Sequence, residues 1–403
     1  MEDLKQKSTA YLQLLCEEIV NRSVGSEGNR SATRFFERTL SSLGWKTETQ
    51  EFDAMDWIDG GAELSAGEVS FKVLVSPYSN GCDVAEELIA ASTVNELEQA
   101  NMRGKIILLH GEIAKEQLMP KNFVFYNPEE HQRIIALLEK GKPAAIVCAT
   151  GRNPALAGGV YPFPLIEDGD FDIPSVYMTE GEGRMVLPFA GTPVKMKSVS
   201  TRIQGKGYNV IARKGDPTGG RLVVTAHIDA KKGTPGALDN ASGVVVLLLL
   251  ADLLKDYEGS KLVEIVAFNG EDYYAVPGQM KYIQEYQEIF PEILVNINID
   301  GAGYKEGPSA FSFYGLPDAM DEEIKAVINQ FDGIVEGKPW VQGDHSIFIQ
   351  YGRPAVAVSS QWFTDNIDRQ DITHTPKDKM GIVDCRKLVK IAQALNLFIR
   401  KQK

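Results

Sequence analysis

The sequence predicts an α/β protein built as three layers, helices over a mainly parallel sheet over helices, with a smaller β-rich segment inserted ahead of it. Three observations carry this. After residue 207, near-continuous apolar strands alternate with helical stretches, the pattern of a parallel sheet covered on both faces. Residues 63–200 have a different texture, with short strand-like pieces between polar helical runs. Finally, 403 residues of which 43% are apolar exceed one ordinary domain and suffice for a normal core.

Taken in order, Leu4, Tyr11, Leu12, Leu15 and Ile19 fall on one side of a 3.6-residue period and predict an amphipathic helix. A second helix is expected over residues 32–43, closed by Gly44. WKTETQEF reads as a strand, and Gly60, Gly61 and Gly67 mark a boundary, so residues 1–62 are expected to pack on the main domain. Within the insert, KIILL and AAIVC read as strands and NPEEHQRIIALLEKG as a helix; His110 and His131 lie apart there and take structural roles. In the main domain, residues 201–403, the strands are RLVVTA, KLVEIVAF, ILVNINI and RPAVAVSS, with helices over 241–257, 280–289, 320–330 and 386–400.

A formal charge of −13 gives the chain the sign of nucleic acid and of anionic lipid, which excludes both as nonspecific partners. The first twenty residues mix both charge signs and show no export signal, and the longest apolar run, residues 244–250, is too short to span a bilayer. Cys16, Cys82, Cys148 and Cys385 are scattered, with no CxxC pair. These features predict a soluble, reduced, cytoplasmic protein.

Parallel sheets bind ligands beyond the carboxyl ends of their strands. RLVVTA runs into His227 and Asp229, KLVEIVAF into Glu271 and Asp272, ILVNINI into Asp300, and RPAVAVSS leads to a loop holding His374; Asp239 stands in PGALDNASG before a hydrophobic helix. Each residue alone reads as a helix cap or a hydrogen-bonded structural group. As a set they need a cation, because clustered buried carboxylates repel. Two imidazoles with several carboxylates suit zinc, or manganese or cobalt in its place.

TAHIDA, PGALDNASG, AFNGEDYY, NID and HTPKD, in this order and spacing, resemble the co-catalytic dizinc exopeptidase family, which includes bacterial leucyl aminopeptidases, aminopeptidase Y and glutamate carboxypeptidase. The resemblance runs from Gly207 to the C-terminus and implies a zinc-peptidase fold, two divalent metal ions and peptide or aminoacyl substrates. It implies that Asp239 bridges the ions, with His227 and Asp300 on one and Asp272 and His374 on the other. Glu271 would be the general base, and Asp229 would accept the free N–H of His227. It also implies a cis peptide between Asp239 and Asn240. Two departures stand out: Asp272 replaces the usual glutamate, and YYAVPGQ is longer than the usual segment.

GDHSIFIQYGRPAVA is similar to the family's Ser-Asp-His segment, with Gly343 in place of serine; His345 either hydrogen-bonds substrate or oxyanion, or plays a supporting structural role. RGKIILLHG, GKPAAIVCAT and DIPSVYMTEGEGRMVL resemble a protease-associated domain, which implies an insert beside the active-site mouth. The reading is therefore an aminopeptidase. A metal-dependent carboxypeptidase or deacylase on the same ligands, or a receptor-like protein that has lost catalysis, are the alternatives.

Overall fold

The computed structural model describes residues 2–152 and 160–402. The chain divides into two compact units, Met1–Ala54 with Lys206–Lys403, and Met55–Gly205.

The first unit is organised by a mixed sheet in the order Ile334–Glu336, Ser309–Tyr314, Ala355–Ser360, Ile293–Ile299, Arg221–His227, Leu262–Phe268, Pro193–Gly215. The four strands expected from sequence are its centre, and they run parallel. Flanking them, Ser309–Tyr314 and Pro193–Gly215 are antiparallel to their inner neighbours. The register sets Phe268 beside His227 and Ile299 beside Val358, so the carboxyl ends of the central strands share one edge.

Alternation along the strands supplies both outer layers. Val263, Ile265 and Ala267 join the core beneath helices Glu2–Gln13, Glu27–Ser42, Ser242–Leu253, Asp318–Ile328 and Cys385–Lys401. Phe268 faces the other way, edge-on to Tyr282 of helix Pro277–Tyr286, in an aromatic cluster with Phe290 and Phe348. Ser242–Leu253 is apolar all round, as a helix enclosed on every side must be; its residues from Val244 to Ala251 are fully buried. Glu27–Ser42 begins earlier than expected because the Ser26 hydroxyl caps it, accepting from the Asn29 N–H at 3.0 Å.

In the second unit, strands Cys82–Ala91, Ile106–Leu109, Ala145–Thr150 and Ser175–Thr179 pair in parallel, in that order, and helices Val94–Gln99, Glu129–Gly141 and Glu180–Val186 accompany them. Ile107, Leu109, Ile146 and Cys148 enter one core, and Ile106, Leu108, Ala145 and Val147 another, so the sheet is covered on both faces. His131 is buried and accepts the Met119 N–H on Nδ1 at 3.1 Å, an ordinary structural role. The unit limits fall inside the long strands Lys46–Ala66 and Pro193–Gly215. Gly60 and Gly61 therefore mark no break: Gly61 takes a φ of +90° within the strand, its N–H held by the Asp59 carboxylate at 2.8 Å. Among the described residues, no helix is long and apolar enough to cross a membrane.

Candidate metal centre

Three strand ends, a loop and a turn deliver the site. His227 closes Arg221–His227, Glu271 and Asp272 follow Leu262–Phe268, Asp300 follows Ile293–Ile299, and His374 lies in the loop after the short helix Gln361–Asn366 that succeeds Ala355–Ser360. Asp239 comes from the turn leading into Ser242–Leu253, and the Asp239–Asn240 peptide is cis, as the resemblance implied. His374 holds a φ of +59°, unusual for a residue other than glycine.

The two carboxylate oxygens of Asp239 face different imidazoles. Oδ1 lies 3.1 Å from His227 Nε2, and Oδ2 lies 3.1 Å from His374 Nε2. His227 Nε2 is also 3.7 Å from Asp300 Oδ1, and His374 Nε2 is 2.9 Å from Asp272 Oδ1. The site thus holds two triads, His227–Asp239–Asp300 and Asp239–Asp272–His374, which share Asp239; in each, the ligand atoms lie within 4.8 Å of one another. A third such group joins His227, Glu271 and Asp272.

These residues fit divalent cations on three counts. Ligand atoms around a tetrahedral zinc stand roughly 3.4 Å apart, the scale of the spacings here. Both ring nitrogens of His227 and Oδ2 of Asp272 are buried without a hydrogen-bond partner among the described residues, which is costly unless something else engages them. The charges also demand it. Burial opposes protonation of His227, yet Asp229, Asp239 and Asp300 together push its pKa well above the ordinary value. His374 behaves likewise, burial being overcome by Asp272 and Asp239. Burial would raise Asp239, but the two imidazoles hold it far below the usual carboxylate range. Each imidazole thus sits among carboxylates that call for positive charge, which a bound cation would supply.

Glu271 keeps part of its surface open to solvent. Burial pushes its carboxyl up, as do Asp272 and Asp300, while His227 pulls the other way. Asp229 is fully enclosed and works on the backbone. Its carboxylate accepts the N–H groups of Gly270 at 2.7 Å, Glu271 at 3.3 Å and Asp272 at 3.0 Å, fixing the loop that carries the last two. It stands 3.6 Å from His227 Nδ1, too far for a hydrogen bond, so its main work differs from the expected one.

His345 is 0% exposed, with Nε2 3.0 Å from the Trp340 carbonyl oxygen and its ring against Tyr314 and Trp340. That geometry belongs to a supporting group rather than to one meeting substrate. Gly343 holds a φ of +100°, which explains glycine there, and a Cβ would come within 3.2 Å of Asp300 Oδ2.

Several site-shaping residues escaped the sequence reading. Asp378 accepts the N–H groups of Leu238 and Asp239, and burial pushes its carboxyl up to about 7. Buried Arg22 donates to the Ile228 carbonyl, just before Asp229, and to the Gly236 carbonyl, three residues before Asp239, and Asn29 and Asn269 exchange amide hydrogen bonds at 2.8 and 2.9 Å just before Glu271. Asp344 receives the Gln279 amide at 2.9 Å, and burial pushes its carboxyl up. Asp378 in HTPKD, Asp344 in GDHSIF and Asn269 in AFNGEDYY lay inside motifs already singled out, whereas Arg22 and Asn29 carried no local signal.

Comparison with known proteins agrees with this geometry. Residues 209–399 match the model of peptidase family M28. The chain is 24% identical over 304 residues to Aminopeptidase YwaD of Bacillus subtilis, covering 72% of this chain and 60% of that protein. It is 22% identical over 306 residues to the Probable lipoprotein aminopeptidase LpqL of Mycobacterium tuberculosis, covering 73% and 57%. The chain therefore spans less than two thirds of these curated relatives. Among solved structures, an aminopeptidase from Aneurinibacillus sp. strain AM-1 aligns with a TM-score of 0.74 at 20% identity, over 98% of this chain and 93% of that one. BSAP, a zinc aminopeptidase from Bacillus subtilis, aligns with 0.73 at 17%, over 98% and 94%. At these identities the structural likeness establishes the fold.

Proposed function

We propose, starting from the match of residues 209–399 to the model of peptidase family M28, that the chain is a metal-dependent aminopeptidase that removes N-terminal residues from peptides. The observation that carries this reading is the pair of triads sharing Asp239, a carboxylate whose two oxygens face different imidazoles. His227 and Asp300 would hold one cation, Asp272 and His374 the other. Bound there, two divalent ions, zinc first among them, supply Lewis acidity that lowers the pKa of water toward neutrality and polarises the scissile carbonyl.

The chain's own residues do the rest. Glu271, partly open to solvent beside Asp272, takes the proton from the attacking water and returns it to the leaving amine, one carboxylate serving both transfers. Asp229 anchors the Gly270–Asp272 backbone so that Glu271 and Asp272 keep their stations. His345 and Trp340 brace each other through a hydrogen bond and a ring contact. The unit Met55–Gly205 has its own cores and, among the described residues, no metal-ligating group, which supports reading it as a protease-associated-like module. Four free cysteines suit a reducing, cytoplasmic setting.

The test is a screen of aminoacyl amides with a free or a blocked amino group, before and after chelation and with zinc, cobalt or manganese restored. Hydrolysis confined to free-amino substrates and dependent on metal is expected. Preference for blocked substrates, or no hydrolysis with both metals bound, would overturn the reading.

A further inference from the structure

The turn carrying Asp239 is gripped by opposite charges on its two faces. Arg22, 2% exposed, donates from Nη1 to the Pro235 carbonyl at 2.8 Å, from Nη2 to the Gly236 carbonyl at 2.8 Å, and from Nε to the Ile228 carbonyl at 3.1 Å. Across the turn, the Asp378 carboxylate accepts the N–H of Leu238 at 2.6 Å and of Asp239 at 3.0 Å, and its carbonyl accepts the Ala237 N–H at 3.3 Å. Successive carbonyls thus meet a cation and successive N–H groups meet an anion. Here the backbone follows no regular pattern, with Asp239 at φ −123°, ψ 88° and Asn240 at φ −138°, ψ 40°, so it cannot satisfy itself.

The same short segment reaches the other ligand-bearing loops. Ile228 directly follows His227, and the Ala230 N–H returns to the Arg22 carbonyl at 3.4 Å. Asn29 ties that carbonyl, at 2.9 Å, to Asn269, two residues before Glu271. Gly236 is needed for close approach: it has a φ of +57°, and a Cβ there would lie 2.8 Å from Arg22 Nη2. Lysine could not replace this fork, because one ammonium on a flexible stem cannot span carbonyls from two loops.

We propose that Arg22 and Asp378 are positioning residues for the bridging carboxylate, and that docking of residues 14–29 is thereby coupled to cation uptake. The proposal rests on the metal-binding reading of the same site. By linkage, whatever loosens the 14–29 segment weakens the cations, and the cations tighten that segment by the same free energy. Neither residue touches substrate or proton in the reaction.

The experiment measures zinc affinity by competition with a chromogenic chelator, and amide hydrogen exchange over residues 14–29 with and without zinc. The wild type is expected to show zinc-induced slowing of exchange over this segment; Arg22→Gln is expected to abolish it and to weaken zinc by about tenfold or more, the scale on which groups supporting metal ligands act. Lys7→Gln removes the 2.8 Å pair with Asp252 from the neighbouring helix without touching the turn, and is expected to keep wild-type affinity. If Arg22→Gln does not fold, Arg22→Lys keeps the charge and is read the same way. Wild-type affinity in the Arg22 variant, or an equal loss in Lys7→Gln, overturns the proposal alone. A wild type that takes up no zinc overturns the functional reading with it.

Discussion

At the scale of single residues, the site separates groups that hold charge from one free to move a proton. Asp239 has both oxygens committed to imidazoles, whereas Glu271 belongs to only one of the three ligand groups and keeps surface open to solvent. Glu271→Gln preserves size and polarity but cannot accept a proton. Turnover of a free-amino substrate should fall by about two orders of magnitude or more, while zinc content stays at the wild-type level; near wild-type turnover with both metals bound would show the base to be elsewhere. Asp239→Ala strikes the shared ligand, and metal analysis should find the zinc content sharply reduced in a folded protein. Full retention of two ions would mean that Asp239 is no bridge. Single residues were legible from sequence wherever they ended an apolar strand. They were illegible where their partners are distant in sequence, as with Arg22, whose carbonyl partners Pro235 and Gly236 lie more than two hundred positions on.

Among the secondary-structure elements, the central parallel strands declared themselves because burial on both faces leaves no polar alternation. Ser309–Tyr314 was passed over because SAFSFY interleaves serines, two of them buried, and so lacks a continuous apolar run. Pro193–Gly215 was passed over because two of the buried positions in its alternating first half are serines and the turn-like GKG lies within it. The helix Ser242–Leu253 was the clearest element, and its burial gives it a measurable weight. Leu248, fully enclosed in the main core, should cost about 2–5 kcal/mol when replaced by alanine, read as a lower denaturant midpoint at unchanged slope. Because Asp239 and Asn240 directly precede this helix, the same variant should also bind zinc more weakly. A loss under about 1 kcal/mol would mean that the helix is less tightly packed than this core implies.

At the scale of the whole molecule, the metal centre is a store of opposed charges whose balance depends on pH. Without cations, His227, His374, Glu271, Asp344 and Asp378 all have folded-state pKa values above their ordinary ones, through carboxylate neighbours for the imidazoles and through burial first for the acids. A group raised on folding lends stability that is complete below its unfolded pKa and lost as pH rises through the folded value. For Asp378 that window runs from 3.8 to about 7, and for the histidines it begins at 6.5 and extends upward. Asp239 and His345, which are lowered, act oppositely, Asp239 only in acid and His345 as one imidazole against the several raised groups. The chelated protein should therefore lose stability steadily between about pH 5 and pH 8. Zinc requires the same imidazoles neutral and the same carboxylates ionised, so its binding strengthens over that range. At a hundredfold excess over its dissociation constant, each site adds about 2.7 kcal/mol, and for a unit of this size that lifts the melting temperature by roughly 5–10 °C. The difference in melting temperature between zinc-loaded and chelated protein should accordingly widen from pH 5.5 to pH 8. A difference that stays constant or narrows would mean that the two imidazoles do not exchange protons for metal, and the assignment of His227 and His374 as ligands would fall.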